Sequence, residues 1–182
     1  MENNITSYFI RQGIIFSLIN ILLTLVIYFS GPDFIANHYI LVPVFLLLLA
    51  IVYPIIITIQ YRKANGNVLL FKDAYKISFF MLAVSGLITA IFGIILYHVI
   101  DPDYPRLIVE RLTEKITEMM ASAGLSEEKI QEALDKQNLS DKFTIKGQIT
   151  SYLYSLVFYG IFSLIVAAVA KRSPEPFENQ VN

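Results

Sequence analysis

Of all the side chains in this sequence, His98, Asp101 and Asp103 come nearest to a chemical constellation, at i, i+3 and i+5. An imidazole beside two carboxylates could hold a hard or imidazole-binding metal ion. Pro102 counts against it, because proline breaks the helical face those ligands would have to share. We therefore take the trio as an interfacial polar cluster at the end of an apolar helix, and expect no metal there. Glu110, Glu114 and Glu118 form an i, i+4, i+8 row that could face a cation, yet Arg111 and Lys115 lie alongside, so a solvated helix face accounts for them. Asn20 is the most polar group inside any long apolar stretch, and Pro54 interrupts another. Asn20 could contact a ligand or ion within a membrane, or simply hydrogen-bond a neighbouring helix. Pro54 could mark a hinge or only shape packing, since it removes a backbone hydrogen bond. There is no phosphate-binding glycine loop, no dinucleotide fingerprint, no H-E-x-x-H and no nucleophile elbow. The chain has no cysteine, which excludes disulfides, thiolate metal sites and cysteine nucleophiles. No catalytic, cofactor-binding or metal-ligating residue is therefore expected, and no enzymatic activity.

The elements that would position these residues are set by composition. Among 182 residues, 55% are hydrophobic and only 16% charged, with 14 Lys+Arg against 15 Asp+Glu. A soluble domain carries about 25% charged residues. The deficit excludes a disordered chain and a typical soluble enzyme, and the balanced charge offers nothing to nucleic acid. Spanning a bilayer takes about 20 mainly apolar residues. Four windows qualify, at about 10–29, 39–60, 76–100 and 149–170. Leu41–Ile59 lacks the polar stripe that a helix of a soluble bundle would show. The fold expected is all-α: a four-transmembrane-helix bundle forming one integral membrane domain over 1–182. The N-terminal stretch, with one Arg and Tyr28-Phe29-Ser30-Gly31-Pro32 where a small-x-small site would be needed, reads as a retained first span and not a cleaved signal.

Four spans put both termini on one side. The connection 30–38 has no Lys or Arg, whereas 60–76 has Arg62, Lys63, Lys72 and Lys76. The positive-inside rule then places the termini and the second connection in the cytoplasm. The long connection 101–148 carries seven Lys/Arg and ten carboxylates, but short loops report orientation better. Tyr8, Tyr28, Tyr39, Tyr61, Tyr75, Tyr97, Tyr152 and Tyr154 fall near span ends, where amphipathic rings suit the headgroup level. Small residues should form the helix contacts: Gly13, Ser17, Asn20 and Thr24 in the first span, Gly86, Ala90 and Gly93 in the third, Gly160, Ser163, Ala167 and Ala170 in the fourth.

Residues 101–148 are expected to form a helical, soluble, extramembrane insert between the third and fourth spans. A helix should start at Pro105 or Arg106 and run to Ala123, with Gly124 as its stop. A second should follow an N-cap at Ser126 and run to about Gln137, and Ser140-Asp141 should cap the last helix. Leu112, Ile116 and Met119, with Ile108, give the first an apolar face; Ile130, Ala133 and Leu134 give the second theirs.

Three stretches carry a family likeness. They are Arg62-Lys63-Ala64-Asn65-Gly66 with Leu70-Phe71-Lys72-Asp73-Ala74-Tyr75-Lys76 leading into the third span; Ile100-Asp101-Pro102-Asp103-Tyr104 at its exit; and the closing Ala167-Ala168-Val169-Ala170-Lys171-Arg172. In this order, with four spans, the chain resembles the domain of unknown function 4199 family of small bacterial membrane proteins. The resemblance implies a multi-pass bacterial inner-membrane protein of unassigned function and supplies no catalytic residues or cofactors. The expected role is a non-enzymatic structural or partner-binding membrane protein. Its partners would be the lipid bilayer and a protein partner, or a second copy, met through 101–148. The rival expectation is a small-molecule transporter or channel with its cavity near Asn20 and Pro54.

Overall fold

The computed structural model describes residues 2–173, so the extreme ends of the expected 1–182 domain lie outside the described residues. The molecule is all-helical, and its only β pairing among the described residues is an isolated antiparallel bridge between Leu69 and Arg172. Helix α1 spans Glu2–Ser30, α2 Pro32–Asn37, α3 Leu41–Ala64, α4 Phe71–Ile95, α5 Tyr104–Ser122, α6 Glu127–Gln137 and α7 Ile145–Ala170. Four of them are long and apolar enough to cross a membrane: Ile5–Ser30, Leu41–Ala64, Phe71–Ile100 and Ile145–Ala170. These helices run past the apolar windows into flanking polar residues, because backbone hydrogen bonding does not stop where hydropathy does. The helical turn α2 was not expected; Pro32 starts it at a first-turn position where its missing N–H costs nothing.

The bundle is packed at one end and splayed at the other. In α1 the buried residues are Gln12, Gly13, Phe16 and Ser17, with none from Leu18 to Ser30. In α3 they are Pro54, Ile57, Thr58 and Tyr61; in α7, Ser163, Val166, Ala167 and Ala170. In α4 they run from Ala74 to Ser85. All of these lie toward the end that carries both termini. There the small residues let backbones approach: a Cβ on Gly13 would come within 2.9 Å of the Met81 carbonyl and of Val84. The rings of Phe16 and Tyr53 stack at 4.5 Å, and Tyr53 donates to Gln12 Oε1 at 3.2 Å. This end is also clamped across the chain. The Arg62 guanidinium donates to the Ala170 carbonyl at 2.9 Å, and Leu69 and Arg172 exchange backbone hydrogen bonds. Apolar side chains such as Leu22, Val26, Leu48, Val157 and Phe158 face outward, as lipid contact would require.

At the splayed end α2, α5, α6 and a 3₁₀ segment, Leu139–Phe143, form a helical crown. The tie to the spans is polar. Tyr28 donates to Asp101 Oδ2 at 2.9 Å, Asp101 Oδ1 accepts from the Tyr104 N–H at 3.1 Å, and the Tyr104 hydroxyl donates to the Tyr28 carbonyl at 3.2 Å. Arg111 bridges α5 to Asp33 of α2 at 3.1 Å. Tyr104, Ile108 and Ile116 of α5 and Ile130 of α6 are buried. Gly124, at φ +80°, follows α5 in the left-handed conformation that suits a helix stop.

One expectation is corrected here, and a second gains detail. The cap of α7 is Thr144, not Ser140-Asp141: those two lie inside the 3₁₀ segment, and the Thr144 hydroxyl accepts from the Gly147 N–H at 2.9 Å. The tyrosines are not merely headgroup anchors. Tyr61 is buried, Tyr8 donates to the Ile57 carbonyl at 3.0 Å and Tyr152 to the Ala83 carbonyl at 3.2 Å, so they join helices to each other.

Candidate functional site

Where the helices part, they leave a cavity of about 420 Å³ between α1, α3, α4 and α7, on the crown side of the packed half. Phe16 and Leu82 close its inner end, and Leu46 and Ala50 of α3 border it. Polar groups enter from three helices. From α1 come Asn20 and Thr24; from α4, Ser85 and Thr89. From α7 come Gln148, Ser151, Ser155 and Tyr159, a stripe spaced i, i+3, i+7, i+11 along the first half of the last helix. Lys142 of the 3₁₀ segment stands at the crown side.

Some of these groups are already engaged. Asn20 donates to Ser85 Oγ at 3.3 Å and to its own helix at the Phe16 carbonyl, 3.0 Å. Thr24 and Ser155 donate to backbone carbonyls one turn back. Thr89 Oγ1 is buried with no hydrogen-bond partner among the described residues. A buried hydroxyl left in that condition is costly, and Thr58 and Ser163 of the packed half share it. Glycines keep the space open: a Cβ on Gly86 would meet the Tyr159 hydroxyl at 2.7 Å, and one on Gly93 would meet Gln148 Oε1 at 2.7 Å.

The residue after Lys142 ties its segment to the neighbouring helices. The Phe143 carbonyl accepts from Gln148 Nε2 at 3.2 Å and from His98 Nε2 at 3.0 Å. His98 belongs to the π-helical turn Leu96–Ile100 that ends the third span, and turns of this kind recur at functional sites. Tyr97 of the same turn lines the cavity and meets the Phe143 ring edge-on at 5.4 Å.

The residues singled out from sequence separate. Asn20 lines the cavity and makes the interhelical hydrogen bond; Pro54 is buried in the packed half and does not line the cavity. His98 serves the 3₁₀ segment, Asp101 serves Tyr28 and Tyr104, and Asp103 precedes α5 without a capping side-chain bond. Among the described residues no group of three His, Cys, Asp or Glu could hold a metal ion. The Glu row is a solvated face, with Glu114 on Arg111 at 3.0 Å and Glu118 on Lys115 at 2.9 Å. Sequence reasoning set Ser85 and Thr89 beside the small-residue face of the third span, but missed Lys142 and the α7 stripe. The stripe was legible as four polar residues at helical spacing; Lys142 gave no signal, because its significance lies in what surrounds it.

A family model described as "Protein of unknown function (DUF4199)" matches residues 11–172. No curated protein and no solved structure matches the chain.

Proposed function

We propose, from the premise that the chain belongs to the DUF4199 family of proteins of unknown function, that it is a non-enzymatic multi-pass membrane protein that holds a small amphiphilic molecule taken from the bilayer. One observation carries this reading: a bundle that is packed at one end opens at the other around a cavity lined by hydroxyls and amides. Polar groups facing a cavity among membrane helices are the ordinary mark of a binding site. We place the termini in the cytoplasm of a bacterial inner membrane and the insert, residues 101–148, outside the membrane on the opposite face. The four cations of connection 60–76 against none in 30–38 support that orientation.

The rival roles find less support. A transporter or channel would need a path through the packed half, which Phe16, Met81 and Val166 fill. A protein partner or second copy docking on the crown would need an apolar face; Ile108, Ile116 and Ile130 are buried within the chain, which leaves Leu107, Met119 and Leu125 exposed there.

The absence of cysteine makes single-cysteine labelling clean. In membranes, Ser151→Cys and Ser155→Cys should react with a permeant maleimide and be protected by added amphiphile, while Ser163→Cys in the packed half should not react. Equal reactivity at Ser155 and Ser163 would remove the cavity reading. With an impermeant maleimide on intact cells, Asn37→Cys and Lys129→Cys should label and Asn65→Cys should not; the reverse pattern inverts the orientation.

A further inference from the structure

The chemistry of the cavity selects among amphiphiles. Lys142 is the one charged side chain lining it, and no carboxylate does. Lys142 forms no ion pair with any described residue. The nearest carboxylate in sequence, Asp141, accepts from the Asn138 amide and lines a second groove together with Lys142 and Lys146. The Lys142 side chain is exposed, and an ammonium without an ion pair beside a cleft lined by hydroxyls and amides can receive an anion. Below it Phe16, Leu46 and Leu82 offer an apolar bed, and Thr89 a hydroxyl without a partner. The volume, about 420 Å³, sits low in the roughly 300–1,000 Å³ range of small-molecule sites, which favours one chain over two.

Resting on the reading above, we infer that the ligand is a single-chain amphiphile with an anionic head. The carboxylate or phosphate meets Lys142, and the acyl chain runs inward between α1, α4 and α7. His98 is a positioning residue: it holds the Phe143 carbonyl and with it the segment that presents Lys142.

The test uses the full chain in nanodiscs of a zwitterionic lipid, with three diazirine-bearing probes of equal chain length: a fatty acid, a lysophosphatidic acid and the neutral fatty alcohol. Crosslinked peptides are mapped by mass spectrometry. Both acids should label α4 and α7 peptides within the cavity in preference to the alcohol, and their ratio shows which head is favoured. Lys142→Glu should lower acid labelling about tenfold, as loss of one charge-assisted contact implies, with alcohol labelling unchanged. Lys146→Ala, beside the cavity but not lining it, should change neither. Equal labelling by acids and alcohol, or indifference to Lys142→Glu, overturns the anionic head while leaving an amphiphile cavity in place. Failure of all three probes to label the cavity overturns both.

Discussion

At the scale of single residues, polar side chains in this molecule work mainly by joining elements. Tyr104 shows it best. Its hydroxyl donates to the Tyr28 carbonyl, its ring lies 4.6 Å from that of Tyr28, and its backbone N–H is held by Asp101. Burial, then the neighbouring Tyr97, Tyr28 and Asp101, push its pKa up from 10.0 to about 12. The folded state therefore favours the neutral phenol. Its contribution to stability is full below pH 10, the unfolded value, and is lost as pH rises through 12. Subtracting the tyrosinate absorbance titration of Tyr104→Phe from that of the unaltered chain should leave one component centred near pH 12. A component near pH 10 would show that the hydroxyl is solvated and that the crown is not seated as described. The same habit gives the tyrosines near the span ends a role that sequence alone did not show. A ring near a span end suits the headgroup region and a helix–helix contact equally well, and only the neighbouring backbone carbonyl tells them apart.

At the scale of elements, most helix ends were legible. Pro105 falls in the first turn of α5 and Gly124 follows its last turn, as local chemistry demands, while Ser126 takes the N-cap position of α6 without a capping hydrogen bond to its hydroxyl. The start of α7 was not. Two caps compete within five residues, and tertiary contact decides: Phe143 is tied to His98 and Gln148, which carries the 3₁₀ segment one turn further and leaves Thr144 as the cap. Thr144→Ala should cost about 0.5–2 kcal/mol in denaturant unfolding in detergent. Gly147→Ala should cost more, because its Cβ would run into the Asp141 carbonyl. If Thr144→Ala is silent and Ser140→Ala is not, the cap has been misplaced. Both changes should also loosen the hold on Lys142, which links this junction to the binding chemistry.

At the scale of the whole molecule, the asymmetry between the two halves is the governing feature. Ser155 and Ser163 lie two turns apart on α7, the first beside the cavity and the second fully buried with its hydroxyl unpartnered. Ser163→Leu should destabilise the protein by about 1–3 kcal/mol, since added methylenes have nowhere to go in a packed interior. Ser155→Leu should be close to neutral while blocking the amphiphile probes. Thermal unfolding of both variants in one detergent would check this, and similar losses would mean the bundle is packed throughout. What the sequence determined alone is the elements: unbroken apolar runs about as long as a bilayer is thick form helices long and apolar enough to cross one. Where those helices touch was decided only in three dimensions. Small residues mark faces able to pack in both halves, at Gly13 and Ser163 as at Gly86 and Gly93. Whether such a face meets a helix or borders a cavity depends on how far apart crown and clamp hold the helix ends, which no local stretch of chain encodes.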